Sequence, residues 1–196
     1  MQAPKTLTTD QCDSLVEQLG KTNGTPTQAV RAVRNQTIAT LLLETGLRVG
    51  ELCSLTMDDL WYGDQPVATL VVRPEIAKTN QERHIPISKK LCEAVHRLYR
   101  FVWPPPNDLA NRYAFFRHAP TVQLTTRTVQ RIIQDAAKSA FNQEVTPHTL
   151  RHTFASRMMR KTNSRVVQAL LGHTNLQSTQ IYMHPNEDDL RQAINS

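Results

Sequence analysis

Residues 148–154 read HTLRHTF, directly after Thr146 and Pro147, and the chemistry of this stretch governs everything around it. Proline suits the first turn of a helix, where its missing N–H has no partner to lose, so the stretch is expected to be helical. On a helix His148 and Arg151 are neighbours at i and i+3, and His148 and His152 at i and i+4. Three chemistries compete for that face. A zinc site needs both histidines, a third ligand and usually the glutamate of HExxH; here Thr149 holds that position and Arg151 would put a fixed positive charge beside the cation. A partly exposed basic helix end, with His152 packed or hydrogen-bonded, is the plainest account. An anion pocket explains the arginine best, because its planar fork matches phosphate oxygens. The stretch alone leaves the last two open.

Bulk properties narrow the field. A chain of 196 residues suits one domain or one domain with a short appendage, and nothing approaches the run of about 18 apolar residues that suggests a membrane span. The N-terminus, MQAPKTLTTD, lacks the apolar core of a secretory signal. Cys12, Cys53 and Cys92 are odd in number and without CxxC spacing, which argues against a disulfide framework or a cysteine-rich zinc site and favours a cytoplasmic setting. The formal charge of +6 makes a polyanion such as nucleic acid a reasonable partner, although many soluble proteins are equally basic.

Along the chain, Thr8 and Gln11 stand at capping-box spacing before a first helix that runs through Leu19 and is closed by Gly20. A second is expected over about Gln28–Glu44, broken by Thr45 and Gly46, and LRVGELCSL starts a short third. From Val67 to Ser88 the pattern becomes β-branched and alternating, which predicts one small antiparallel sheet whose turn includes KTNQE. SKKLCEAVHRLYRFV returns to helical spacing and Pro104–Pro106 end it; YAFF reads as a short buried strand or turn. Further helices are expected near Thr126–Ser139, Pro147–Met159, Ser164–Leu171, Ser178–Met183 and Glu187–Ile194. The fold class is thus mainly α with a small antiparallel sheet, α+β.

Three other stretches bear on HTLRHTF. TGLRVGEL puts Arg48 at the start of a helix with Glu51 one turn on, which is either a solvated ion pair or a carboxylate holding a guanidinium toward a phosphate. AKTNQERHIPI puts Lys78 near a β-turn, either simply solvated or able to reach a substrate and give up a proton. LLGHTNLQSTQIYMHP carries His173 and, nine residues on, Tyr182. A helical tyrosine is usually core, but this one sits among polar residues.

Taken in order, TGLRVGEL, the lysine turn, HTLRHTFA, LLGH and TQIY resemble the tyrosine recombinases, the phage-integrase-like family, over nearly the whole chain from about Thr6 to Asn186. The resemblance implies the DNA breaking-rejoining catalytic-domain fold and phosphoryl transfer on double-stranded DNA. A tyrosine attacks a phosphodiester, a 5′-hydroxyl leaves, and a covalent 3′-phosphotyrosine conserves the bond energy for rejoining. The residue types suit that chemistry. A tyrosine hydroxyl with a pKa near 10 must lose its proton during attack, and guanidiniums that stay charged stabilise the developing phosphorane-like charge. On this resemblance Tyr182 is the nucleophile, Arg48 and Arg151 clamp the phosphate, Lys78 is the general acid, and His148 and His173 handle protons and contact the phosphate. Glu51 orients the neighbourhood of Arg48, while His152 is read as structural and His184 as incidental. HTLRHTF is then an anion pocket completed by residues distant in sequence.

No metal or cofactor is implied. Ala77 stands where many relatives have glycine, which is expected to restrict the turn slightly. The whole of residues 1–196 reads as a single C-terminal-type catalytic domain, with the family's usual N-terminal DNA-clamping domain expected to be absent. The tail NEDDLRQAIN, with Leu190 and Ile194 four apart, either packs on its own domain or docks on a neighbouring protomer. A monomer is expected without DNA, and a homo-tetramer on paired sites in the full-length context. The competing readings are a type IB topoisomerase, which relaxes supercoils without exchanging partners, and a non-catalytic DNA-binding protein on the same fold.

Overall fold

The second helix organises the molecule. In the computed structural model, which describes residues 5–104, 112–173 and 179, α2 spans Pro26–Thr45 and every residue from Thr37 to Leu43 is buried. A helix apolar on all sides has to lie at the centre, and α2 packs against α1 (Thr9–Gly20), α4 (Lys89–Phe101) and α6 (Pro147–Lys161). Two of its buried threonines are tolerated in the core because their hydroxyls bond back: Thr37 Oγ1 donates to Val33 O at 2.9 Å and Thr45 Oγ1 to Leu41 O at 2.6 Å. Pro at the first helical turn extends α2 two residues beyond the expected start at Gln28.

The first helix has the expected reciprocal capping box, with Gln11 N to Thr8 Oγ1 at 3.2 Å and Thr8 N to Gln11 Oε1 at 3.0 Å. Gly20 does not close it as expected. It is the last helical residue, and Lys21 leaves with extended backbone. What Gly20 supplies is room: a Cβ there would lie 2.0 Å from the amide nitrogen of Gln36, which ties α2 to α1 by donating to Val16 O at 3.1 Å.

The β content is divided where one sheet was expected. β3 (Thr69–Val72) and β4 (Arg83–Pro86) pair antiparallel with Leu70 opposite Ile85 and Val72 opposite Arg83, and all four of those side chains are buried on one face. A separate two-stranded hairpin, β1 (Trp61–Tyr62) with β2 (Gln65–Pro66), turns at Gly63 (φ 62°) and Asp64. Strands of two residues have no alternation to detect, although Gly-Asp between them is a hairpin signal. YAFF is buried at Ala114 and Phe115 and joined to its surroundings by two isolated bridges, Thr56 to Tyr113 and Phe116 to Gln123.

After the short α3 (Val49–Cys53), the remaining described helices are α5 (Thr126–Phe141), α6 and α7 (Ser164–Leu171). The last matches its expected bounds, and the other two run two residues past theirs at the C-terminal end. The expected helices at Ser178–Met183 and Glu187–Ile194 lie outside the described residues, Thr179 excepted. One core cluster links residues from α1 through α6, and Phe154, Ala155, Val167 and Leu171 form a second between α6 and α7. Among the described residues no helix is long and apolar enough to cross a membrane.

Candidate active site

The site is built where three chain breaks meet: the end of α2, the start of α6 and the end of α7. Gly46 ends α2 in the left-handed region at φ 63°. A Cβ there would lie 2.3 Å from Phe154 Cδ1 and 3.0 Å from Leu171 Cδ2, so the residue is required both for its backbone angle and for the close approach of α6 and α7. Its carbonyl accepts a hydrogen bond from Arg151 Nη1, and the Leu171 carbonyl at the end of α7 accepts from Arg151 Nη2 at 2.8 Å. The arginine of HTLRHTF is therefore buried, 4% exposed, with both terminal nitrogens donating to neutral carbonyls.

Arg151 Nη2 also lies 3.1 Å from His173 Nε2. A guanidinium can only donate, so Nε2 carries the lone pair and the ring proton sits on Nδ1, which donates to Thr179 Oγ1 at 3.1 Å. Burial lowers the His173 pKa to about 4, helped in turn by the charges of Arg151, Arg48 and Arg83 and by His152. At neutral pH the ring is therefore uncharged, and Nε2 faces the cationic region as an acceptor.

Arg48 is the N-cap residue of α3, as the TGLRVGEL pattern predicts. Its backbone N–H donates to Glu51 Oε2 at 2.8 Å and its Nη1 to Glu51 Oε1 at 3.1 Å. This is not a solvated surface pair: Glu51 is only 2% exposed. Burial by itself would raise the Glu51 pKa, but the hydrogen bonds and charge of Arg83, then of Arg48, outweigh it and leave the carboxyl below its ordinary value.

Arg83 is the residue that the motifs do not reveal. It comes from β4, 4% exposed in its side chain, and grips Glu51 with both terminal nitrogens at 3.1 and 2.6 Å. The available signal was the RHIPI alternation, which places Arg83 on the same face as Ile85 and therefore inward, where a charge needs a partner.

The other expected residues are placed differently. Lys78 is exposed on the β3–β4 connection and makes no hydrogen bond or ion pair with the described residues. The base of that connection is anchored, with Ala77 N bonded to Arg73 O and Arg73 itself bidentate to Asp59 at 2.9 and 3.0 Å. Ala77 is buried and does not have a positive φ, so the turn has no need of glycine there; Asn80 supplies the left-handed residue at φ 51°. His148 is exposed in the first turn of α6, and its charge helps, after burial, to lower the pKa of His152. Tyr182 and His184 lie outside the described residues. No group of three or more His, Cys, Asp and Glu at metal-binding spacing occurs among the described residues.

The arrangement gathers three guanidiniums, one carboxylate and a neutral imidazole from four separate elements. The profile of the phage integrase family matches residues 5–189. The chain belongs to that family. Relatives include a tyrosine recombinase XerC of Anoxybacillus flavithermus, 35% identical over 81% of this chain and 52% of its own length. A tyrosine recombinase XerA of Pyrococcus furiosus is 33% identical over 97% of this chain and 61% of that protein. The chain thus spans little more than half the length of these family members. Among solved structures, a XerA recombinase superposes over 100% of this chain and 64% of its own with a TM-score of 0.77 and 30% identity. A XerH recombinase crystallised with its difH substrate shares the fold at a TM-score of 0.71 over 99% of this chain and 55% of its own, at 22% identity.

Proposed function

We propose that this chain is the catalytic unit of a site-specific recombinase that cuts and rejoins double-stranded DNA through a covalent 3′-phosphotyrosine. One observation carries the reading. Arg151 Nη2 lies 3.1 Å from His173 Nε2, and Arg48, 103 positions from Arg151 in a 196-residue chain, joins burial and Arg151 in lowering the pKa of the same imidazole. Two permanent cations and an uncharged acceptor are what a phosphodiester in transit requires, since negative charge grows on its non-bridging oxygens as the nucleophile arrives.

In the step this supports, the Tyr182 oxygen attacks phosphorus and gives its proton to His173 Nε2, and the bond to the 5′-oxygen breaks. Lys78, on its anchored but exposed turn, delivers a proton to that leaving oxygen. Arg48 and Arg151 hold the non-bridging oxygens. His173 Nε2, freed of repulsion by the arriving anion, becomes a better proton acceptor than it is in the DNA-free chain, while His148 at the solvent edge contacts the phosphate. Rejoining is the reverse: a 5′-hydroxyl attacks the phosphotyrosine and Tyr182 leaves. On paired sites four protomers assemble in the full-length context; without DNA the chain is a monomer.

A second feature supports a nucleic-acid partner. A cleft of about 570 Å³ is lined by Arg117, Arg127, Arg131, Gln130 and Gln134 with the N-cap Thr125 of α5. Its cations suit phosphates and its amides suit base edges.

The test is covalent trapping on a nicked suicide duplex at low salt, with chelator present. An adduct that survives denaturing electrophoresis and is lost in Tyr182→Phe is expected. Stable duplex binding with no adduct from either chain, using substrates that the XerC- and XerA-like relatives cleave, would overturn the catalytic reading. Relaxation of supercoiled plasmid without any specific site would redirect it to a topoisomerase.

A further inference from the structure

Resting on the reading above, we infer that Arg83 is a positioning residue that keeps Arg48 available to the phosphate by occupying Glu51, and that locks the element carrying His173 to the same carboxylate. The hydrogen bonds around Glu51 carry this. A carboxylate has about four acceptor positions, and all are in use. Oε2 accepts from the Arg48 backbone N–H and Arg83 Nη2, at 2.8 and 2.6 Å. Oε1 accepts from Arg83 Nη1 and Arg48 Nη1, both at 3.1 Å. Arg83 thus takes the bidentate face, and the Arg48 guanidinium is left with a single contact. Consistently, the Arg48 side chain stays 20% exposed while the other two are nearly sealed, at 4% and 2%.

Without Arg83, a buried carboxylate would face one cation. The favoured arrangement of such a pair is the bidentate fork, which would draw the Arg48 guanidinium into the protein and away from a substrate. The local balance changes too. Arg48, Arg83 and Glu51 together carry a charge of +1, and removal of Arg83 brings that to zero.

The remaining nitrogen makes the second connection. Arg83 Nε donates to Leu170 O at 3.1 Å, on the last turn of α7. Two residues on, Gly172 turns the chain at φ 60°, with the position of its absent Cβ 3.0 Å from Arg83 Cδ, and His173 follows. One side chain therefore ties the loop of Arg48, the β4 strand that follows the Lys78 turn, and the approach to His173. It touches no reacting atom.

The test uses the full chain and three variants: Arg83→Met, Arg83→Lys and the double variant Arg83→Met/Glu51→Gln. Cleavage of the suicide duplex is measured at saturating protein, beside duplex affinity and thermal midpoint. Arg83→Met is expected to lower the cleavage rate about 100-fold, the scale of a misplaced catalytic group, with a much smaller change in affinity. Arg83→Lys is expected to fall between it and the parent. The double variant should cleave faster than Arg83→Met, because a neutral amide no longer captures Arg48. A merely structural arginine predicts the opposite, with Glu51→Gln adding its own loss, and that result would overturn the inference.

A second readout needs no DNA cleavage. Arg48→Ala should raise the His173 pKa, followed by NMR of the ring, in the parent chain but leave it unmoved beside Arg83→Met, where Arg48 is already withdrawn. Equal shifts in both backgrounds would overturn the inference even in a chain that cleaves nothing. Failure of the parent chain alone to form an adduct would count against the proposed function and leave this comparison decisive for Arg83.

Discussion

The two arginines of the proposed clamp are held in different ways. Arg151 is buried and donates to the neutral carbonyls of Gly46 and Leu171, which orient it without cancelling its charge. Arg48 is partly exposed and bonded to a carboxylate that would cancel it, were that carboxylate not already occupied by Arg83. Carbonyls orient a guanidinium without neutralising it, but they demand that the backbone be brought to the arginine. A carboxylate comes with a side chain and can be supplied locally at i+3, but then a second cation is needed. The first solution binds the site into the core, whereas the second leaves it adjustable at the edge.

The sharpest way to break this comparison is to remove each arginine in turn. Arg151→Ala strips the donor from two buried carbonyls, each worth about 1–3 kcal/mol when left unpaired. Its thermal midpoint should therefore drop clearly, with cleavage down by about 10³-fold. Arg48→Ala should lose cleavage on a similar scale yet barely move the midpoint, since Glu51 keeps its bidentate partner. Melting curves and suicide-substrate rates on the same preparations check both. Equal destabilisation by the two would mean that the two arginines are not held differently at all.

Gly46→Ala attacks the buried half without touching a charge. The left-handed angle costs about 1–2 kcal/mol and the contact with Phe154 about as much again or more. A total near 3 kcal/mol corresponds to a fall in Tm of roughly 6–12 °C for a chain of this size. Because the Gly46 carbonyl orients Arg151, cleavage should fall even at temperatures where the variant is fully folded.

The legibility of the two halves in the sequence differed for the same reason. Glu51 is three residues from Arg48, so local spacing exposed that pair, and the capping box of Thr8 was local too. Two partners of Arg151 are carbonyls 105 and 20 residues away, and carbonyls have no letter in a sequence. Arg83 was readable in principle from its inward place in RHIPI, but its partner lies 32 residues upstream. The β1–β2 hairpin escaped because two-residue strands carry no period. HTLRHTF itself was read as an anion pocket. The helix stands as expected, while the burial of Arg151 and the bonds that hold it came only from the fold.

Acid should weaken the interface between the two halves. The folded chain keeps His173 neutral down to about pH 4, whereas the unfolded chain protonates it near its ordinary value of 6.5. Between those values the unfolded state binds more protons, so stability falls as pH falls. His152, also lowered, acts in the same sense, and Glu51 adds its own loss at still lower pH, as its lowered folded-state pKa is passed. Urea unfolding at pH 7, 6 and 5 should show a decline that is shallower in His173→Gln. An identical decline would mean that His173 is not held neutral in the folded chain.

The smallest effects are expected in the cleft on α5, whose lining includes neither arginine. Arg127 and Arg131 stand four apart on the face opposite the buried Val129 and Ile133, so they can be removed without opening the core. If they contact phosphates, each replaced by alanine should cut the dependence of log affinity on log salt by about 0.9 and weaken duplex binding alike for all sequences. Gln130 and Gln134 occupy the same cleft with amides that can read base edges, so their replacement should change sequence preference and leave the salt slope alone. Cleavage of bound duplex should stay normal in all four, because none touches the Arg48–Glu51–Arg83 or Arg151–His173 contacts. A variant in this cleft that binds DNA normally but cleaves slowly would join the cleft to the active site and remove the distinction between where the chain holds DNA and where it cuts.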